Sequence, residues 1–243
     1  MLQKFDKAFR EFEQEVYSKL REYHFDANIE LDNLDLQIQA QCLAEDIGYF
    51  SMIMRELYKE ALDEVSKKMD RSVAGQKDPK DALGRDFIAL SLGKLGVAYK
   101  SFYFLIRAFH DVMYKLILRL HNQNIGSNSS MNSAIDSTNN TIKHNNPVQY
   151  VLKEKSTAYA EWFIVMRKRR NLSKNGIGIG YSMGKNYIDN ETTLAIVIGN
   201  PTRNQSPPLS LDEFTQALEM SIELTKSSIL YGIEKKRLIS YSK

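Results

Sequence analysis

Phe87 to Leu120 reads FIALSLGKLGVAYKSFYFLIRAFHDVMYKLILRL. Within it Ile88, Leu92, Leu95, Tyr99, Phe102, Ile106, Phe109, Met113, Leu116 and Leu120 recur in unbroken steps of four and three. That spacing keeps one apolar seam on one side of a helix, because residues three and four apart share a face. Phe87, Phe104, Leu105 and Ile117 add apolar groups on the other sides, so the helix is expected to be central. Asp78-Pro79 supplies its start, with Asp as N-cap and Pro at the first helical position. Gly93 and Gly96 lower its helix propensity and suggest close backbone approach.

The same pattern extends upstream. Leu36, Ala40, Leu43, Ile47, Phe50, Met54, Leu57 and Ala61 form a second seam over residues 34–69. Phe5, Phe9, Phe12, Val16, Leu20 and Tyr23 mark a helix over 3–24. Seams of this period suit near-antiparallel packing in a bundle, with a two-stranded coiled coil as the competing arrangement. Downstream, residues 122–147 turn abruptly to Asn and Ser and lose all period, which predicts a flexible loop. A fourth helix is expected over 148–173, with Tyr159, Phe163 and Met166 on one face. Residues 177–183 and 193–198 read as two short strands flanking a turn. Ser210 and Glu213 fit a capping box, with Leu209 and Phe214 at staple positions, opening a last helix over 211–238. The expected fold is all-α: a multi-helix bundle with a small β-hairpin before the last helix, in one domain over 1–243. Residues 1–77 contribute N-terminal helices and 78–121 with 148–243 the core.

Composition narrows the function classes. The 243 residues carry 43% hydrophobic and 26% charged side chains, a globular balance. The single cysteine, Cys42, excludes an intramolecular disulfide and a Cys-based zinc cage; beside Leu43 it reads as semi-buried. The net charge of +3 does not by itself argue for nucleic acid. No run of apolar residues is long enough for a membrane span, and a soluble, cytoplasmic protein is expected. No cofactor and no metal is implied. The acids of the second helix, Glu45, Asp46, Glu60, Asp63 and Glu64, lack the Glu-x-x-His pairs of a di-metal bundle site.

Chemistry concentrates at YAEWFIVMRKRRNLSKNG, residues 159–176, where Arg167, Lys168, Arg169, Arg170 and Lys174 place five cations within eight residues. At about 100° per residue, Arg170 continues the Tyr159–Phe163–Met166 stripe and points to the bundle edge, while Lys168 faces solvent. A half-buried Arg needs an acceptor, and a phosphate or a carboxylate serves. The Gly176-Ile-Gly178-Ile-Gly180 run lacks the strand before and helix after that a dinucleotide fingerprint requires, and residues 180–185 miss the P-loop spacing.

A long apolar helix, a loop, an aromatic-rich helix ending in Arg170-Asn171, a β excursion and a closing helix resemble the HEPN superfamily over residues 80–238. Its members are helical bundles, commonly dimeric, and many are metal-independent ribonucleases of toxin–antitoxin and phage-defence systems. The family motif is an Arg and a polar residue followed, after four to six residues, by His. Here the corresponding position is Asn175, and the last histidine of the chain is His144. An amide cannot exchange the proton that cleavage through a 2′-hydroxyl requires, a loss of about 10²–10⁴-fold. The resemblance therefore implies a non-catalytic homodimer binding RNA, a nucleotide or a partner protein through Arg167, Arg170, Asn171, Lys174 and Asn175. A ribonuclease using Arg170, Asn175 and a displaced His110 is the second expectation, and a plain helical interaction scaffold the third. For His110 itself, a surface or satisfied semi-buried histidine is the favoured role.

Overall fold

The computed structural model describes residues 14, 31–73, 81–174, 179–186, 191–198 and 211–235. The predicted helix over 3–24 and the capping residues Leu209 and Ser210 lie outside them. The chain is all-α, a multi-helix fold with a small β-hairpin before the last helix. In order, α1 is Leu31–Val73, α2 Asp81–Leu120, α3 Met131–Ala134, β1 Ile135–Asp136, β2 Thr141–Ile142, α4 Pro147–Leu152, a 3-10 turn Lys153–Lys155, α5 Ser156–Lys174, β3 Ile179–Asn186, β4 Glu191–Ile198 and α6 Leu211–Lys235. β3 and β4 are antiparallel, with Ile179 opposite Ile198 and Asn186 opposite Glu191. The chain divides into two compact units, one of Met1–Gly48, Leu105–Lys168 and Thr215–Lys243, the other of Tyr49–Phe104 and Arg169–Phe214.

In the first unit the α2 seam is core from Ile106 through Phe109, Met113 and Leu116 to Leu120. Tyr159, Phe163 and Met166 of α5 are buried as their spacing predicts, with Trp162 beside them. The predicted fourth helix is broken: Lys153 takes φ 53° and ψ −126°, which separates α4 from α5. Asn146 caps α4 by accepting the Val148 N–H at 3.1 Å, with Pro147 at its first turn.

Residues 122–146 correct the flexible-loop expectation. Met131 and Ala134 are fully buried, and Ile135 pairs with Ile142 across a two-residue ladder. Asp111 of α2 accepts the Met131 N–H at 2.8 Å, and Asp136 accepts the Thr138 N–H at 2.9 Å. Asn122, Asn140 and Asn145 all have positive φ. Asn enters the left-handed region more cheaply than most residues, so the Asn content serves tight turns here.

In the second unit Leu95, Tyr99 and Phe102 are buried along α2, and Met54, Ala61 and Val65 along α1. The α1 burial is rotated to one side of the predicted seam: Ser51 is buried, whereas Phe50 and Leu57 are only half-buried. Three expectations are corrected. Phe104, one of the residues from which a central helix is expected, is 43% exposed. A Cβ at Gly93 would meet nothing within 4 Å, so no neighbour approaches its backbone. Cys42, in the first unit, is exposed. Seam positions report one face of a helix; they do not say how much of the circumference neighbours cover.

Candidate functional site

The last turns of α5 in the second unit run Arg169-Arg170-Asn171-Leu172-Ser173-Lys174. The fully buried cation there is Arg169, at 4% exposure, not Arg170. Its guanidinium pairs with Oε1 of Glu213. The other carboxylate oxygen, Oε2, lies 3.2 Å from the Tyr103 hydroxyl and 3.4 Å from the Tyr99 hydroxyl, and the two hydroxyls also lie within bonding distance of each other, so two protons are shared among three contacts. Phe214 stands edge-on to Tyr99 and Phe102 at 5.2 and 4.9 Å. Burial raises the Glu213 carboxyl above its ordinary range, against the opposing pull of Arg169. Burial likewise drives both phenols well above the usual tyrosine value. Arg169 is thus compensated inside the fold and serves as a structural ion pair. Its step of three from Met166 and four to the buried Ser173 was the signal that places it inward.

Arg170 is half-buried and has a different environment. Its guanidinium carbon lies 5.2 Å from the centroid of the Phe104 ring, a cation–π contact. Its Nη1 donates to Asn171 Oδ1 at 3.2 Å. No carboxylate among the described residues pairs with it, and its buried Nε–H has no acceptor there. Asn171 and Lys174 are exposed on the same turns. Asn175 lies outside the described residues.

The remaining predicted residues belong to the first unit. Arg167 Nη1 donates to Asn132 Oδ1, which ties it to the 122–146 segment. Lys168 is exposed, as its angle predicts. His110 is 0% exposed. Its Nδ1 lies 2.5 Å from the Tyr159 hydroxyl and its Nε2 3.0 Å from Ser221 Oγ. Ser221 donates its own proton to the Ala217 carbonyl at 2.7 Å. Its oxygen is left to accept, which assigns the proton to Nε2 and makes Tyr159 the donor to Nδ1. Trp162 and Phe163 pack on the ring at 5.0 and 6.1 Å. Burial, with the nearby charge of Arg107 as the lesser cause, lowers the imidazole pKa to about 3. A histidine so placed is shielded from solvent and bonded at both ring nitrogens inside the fold.

Arg107 pairs with Asp111 at 3.1 Å and lies over the Phe163 ring at 4.9 Å. Among the described residues no three His, Cys, Asp or Glu side chains converge as a metal site, and no helix is long and apolar enough to cross a membrane. Compared with known proteins, the chain matches no family model, no curated protein and no solved structure.

Proposed function

We propose that this chain is a non-catalytic binding protein of HEPN-like organisation, a dimer in keeping with that resemblance, that takes single-stranded RNA at the C-terminal turns of α5. The observation that carries the reading is Arg170: a cation fixed by burial and by the Phe104 ring, with no carboxylate partner among the described residues. Such a guanidinium is ready for an outside anion, and charge-assisted bonds to phosphate are among the stronger protein hydrogen bonds. Phe104 beside it offers an exposed aromatic edge on which an unstacked base can rest, the usual way single strands are held. Exposed Lys174 and Asn171 extend the polar surface on the same helix. The absence of any histidine after Arg170, together with the locked state of His110, supports binding over cleavage.

The test is fluorescence anisotropy with a labelled single-stranded RNA of mixed sequence in EDTA, from 50 to 300 mM salt. Each phosphate contact contributes about 0.7 to the slope of log K against log salt. Arg170→Ala is expected to flatten the slope by about 0.7 and to weaken binding by about tenfold or more, the loss of one charged hydrogen bond. Phe104→Ala is expected to weaken binding with the slope unchanged. Intact RNA throughout is part of the expectation, and cleavage that vanishes in Arg170→Ala overturns it in favour of a ribonuclease. Absence of salt-dependent affinity overturns it in favour of a bare interaction scaffold.

A further inference from the structure

In the first unit, the end of α4, the 3-10 turn after it and one face of α6 enclose a cavity of about 190 Å³. That is more than the roughly 150 Å³ that admits a benzene ring, and less than the roughly 300 Å³ at which drug-sized sites begin. It fits a molecule with one small apolar group. Val151 and Leu152, both buried, and Leu230, 49% exposed, give the cavity apolar walls. Tyr231 completes that side, its ring stacked on His121 at 4.6 Å and 12° and so held in one orientation.

The rest of the lining is charged, with both signs present. Glu223 Oε1 accepts from Lys155 Nζ at 2.7 Å and from Ser227 Oγ at 3.1 Å, which fixes the carboxylate. Its Oε2 accepts from no described side chain, and Ser227, having given its proton, keeps lone pairs to accept with. These two acceptors suit an ammonium group. Lys153 and Glu154 stand exposed at the rim, and neither has an ion-pair partner among the described residues. Lys153 is also the residue whose backbone is strained, at φ 53° and ψ −126°. Glycine enters that region freely and other residues at a cost, and residues held there cluster at ligand clamps. A lysine in a place that glycine would hold more cheaply points to a use for its ammonium, which suits a carboxylate.

We propose that this cavity binds a free α-amino acid with an apolar side chain, of about the size of leucine or phenylalanine. The carboxylate pairs with Lys153, the ammonium with Glu223 Oε2 and Ser227 Oγ, and the side chain rests between Leu230 and Tyr231. A zwitterion answers both signs of the wall at once, whereas a plain acid or a plain amine leaves one of them unmet. The cavity belongs to the first unit and the Arg170 turn to the second, so the inference stands whether or not RNA binds there.

The experiment is isothermal titration calorimetry of the full chain with L-leucine and L-phenylalanine. The corresponding amines, which lack the carboxylate, and the corresponding acids, which lack the ammonium, serve as controls. Saturable one-to-one binding of the amino acids is expected, with each control weaker by about tenfold or more, the loss of one charge-assisted hydrogen bond. Lys153→Gly keeps the turn, because glycine adopts this backbone freely. It is expected to weaken the amino acids by about tenfold and to leave the amines unchanged. Glu223→Gln is expected to weaken the amino acids and to leave the acids unchanged, with circular dichroism matching the parent. No saturable binding of either amino acid up to about 10 mM overturns the inference, as do controls that bind as tightly as the amino acids or affinities that neither variant moves.

Discussion

Acidification from pH 7.5 to 4.5 is expected to cost the fold about 3 kcal/mol through His110 alone. In the unfolded chain the imidazole has its ordinary pKa of 6.5; in the fold, burial lowers it to about 3. Between those values the unfolded state binds a proton that the folded state does not, so stability falls as pH falls through that window. At pH 4.5 the unfolded group is two units below its pKa while the folded one is still neutral. Two units at about 1.4 kcal/mol each give the figure, with a slope of about 1.4 kcal/mol per unit from pH 6 downward. The structural cause is burial of the ring, with the charge of Arg107 beside it as the lesser one, and the Tyr159 hydroxyl occupies Nδ1 by donating to it. The assay is urea unfolding at half-unit steps of pH, for the parent and for His110→Gln. A glutamine amide can donate to Ser221 and accept from Tyr159 but cannot titrate. The variant is expected to start lower at pH 7.5 and to lack the His110 slope. Glu213, raised by burial, takes up its proton earlier in the fold and acts in the opposite sense. It is present in both proteins and cancels in the difference. Parallel curves for parent and variant between pH 6.5 and 4.5 would refute the reasoning, as would an NMR titration of His110 with a midpoint near 6.5.

Three other perturbations follow from named contacts. Lys153→Gly removes the side chain from a backbone conformation that costs about 1–3 kcal/mol, against the roughly 0.5–1 kcal/mol entropic cost of glycine, and is expected to raise the melting temperature by a few degrees in a calorimetric scan. Glu213→Ala leaves the Arg169 charge without its carboxylate and is expected to destabilise by about 3 kcal/mol in urea unfolding, with part of the loss recovered in the Arg169→Met, Glu213→Leu pair. Asp111→Ala removes the acceptor of the Met131 amide and one partner of the Arg107 guanidinium together, and hydrogen exchange is expected to accelerate across residues 129–136 while the α2 core stays protected.

The helical scaffold was legible because burial along α2 from Leu95 to Leu120 repeats every three and four residues, and periodicity reports that directly. The hairpin was legible from the change of period after α5. What escaped depended on contacts far apart in sequence. Arg169 and Arg170 are adjacent cations, and only Glu213, 44 residues away, makes one of them a core residue. The segment 122–146 looked formless because its order rests on four buried apolar groups and on Asn residues at positive φ, neither of which has a helical or strand period. The break at Lys153 carries no Gly or Pro to announce it. His110 was read as an ordinary histidine, and the structure makes it a fully buried one through Tyr159 and Ser221, each supplied by a different helix. Phe104 counted toward a central helix, yet it is 43% exposed, since an apolar residue on an apolar helix carries no mark of which side its neighbours leave open.

The central claim, that Arg170 holds RNA without cutting it, is tested most directly by the salt dependence of RNA affinity in EDTA for the parent and Arg170→Ala. The account predicts intact RNA, a negative slope for the parent and a slope flatter by about 0.7 in the variant. Cleavage by the parent that the variant lacks, or affinity indifferent to salt and to Arg170, would contradict it.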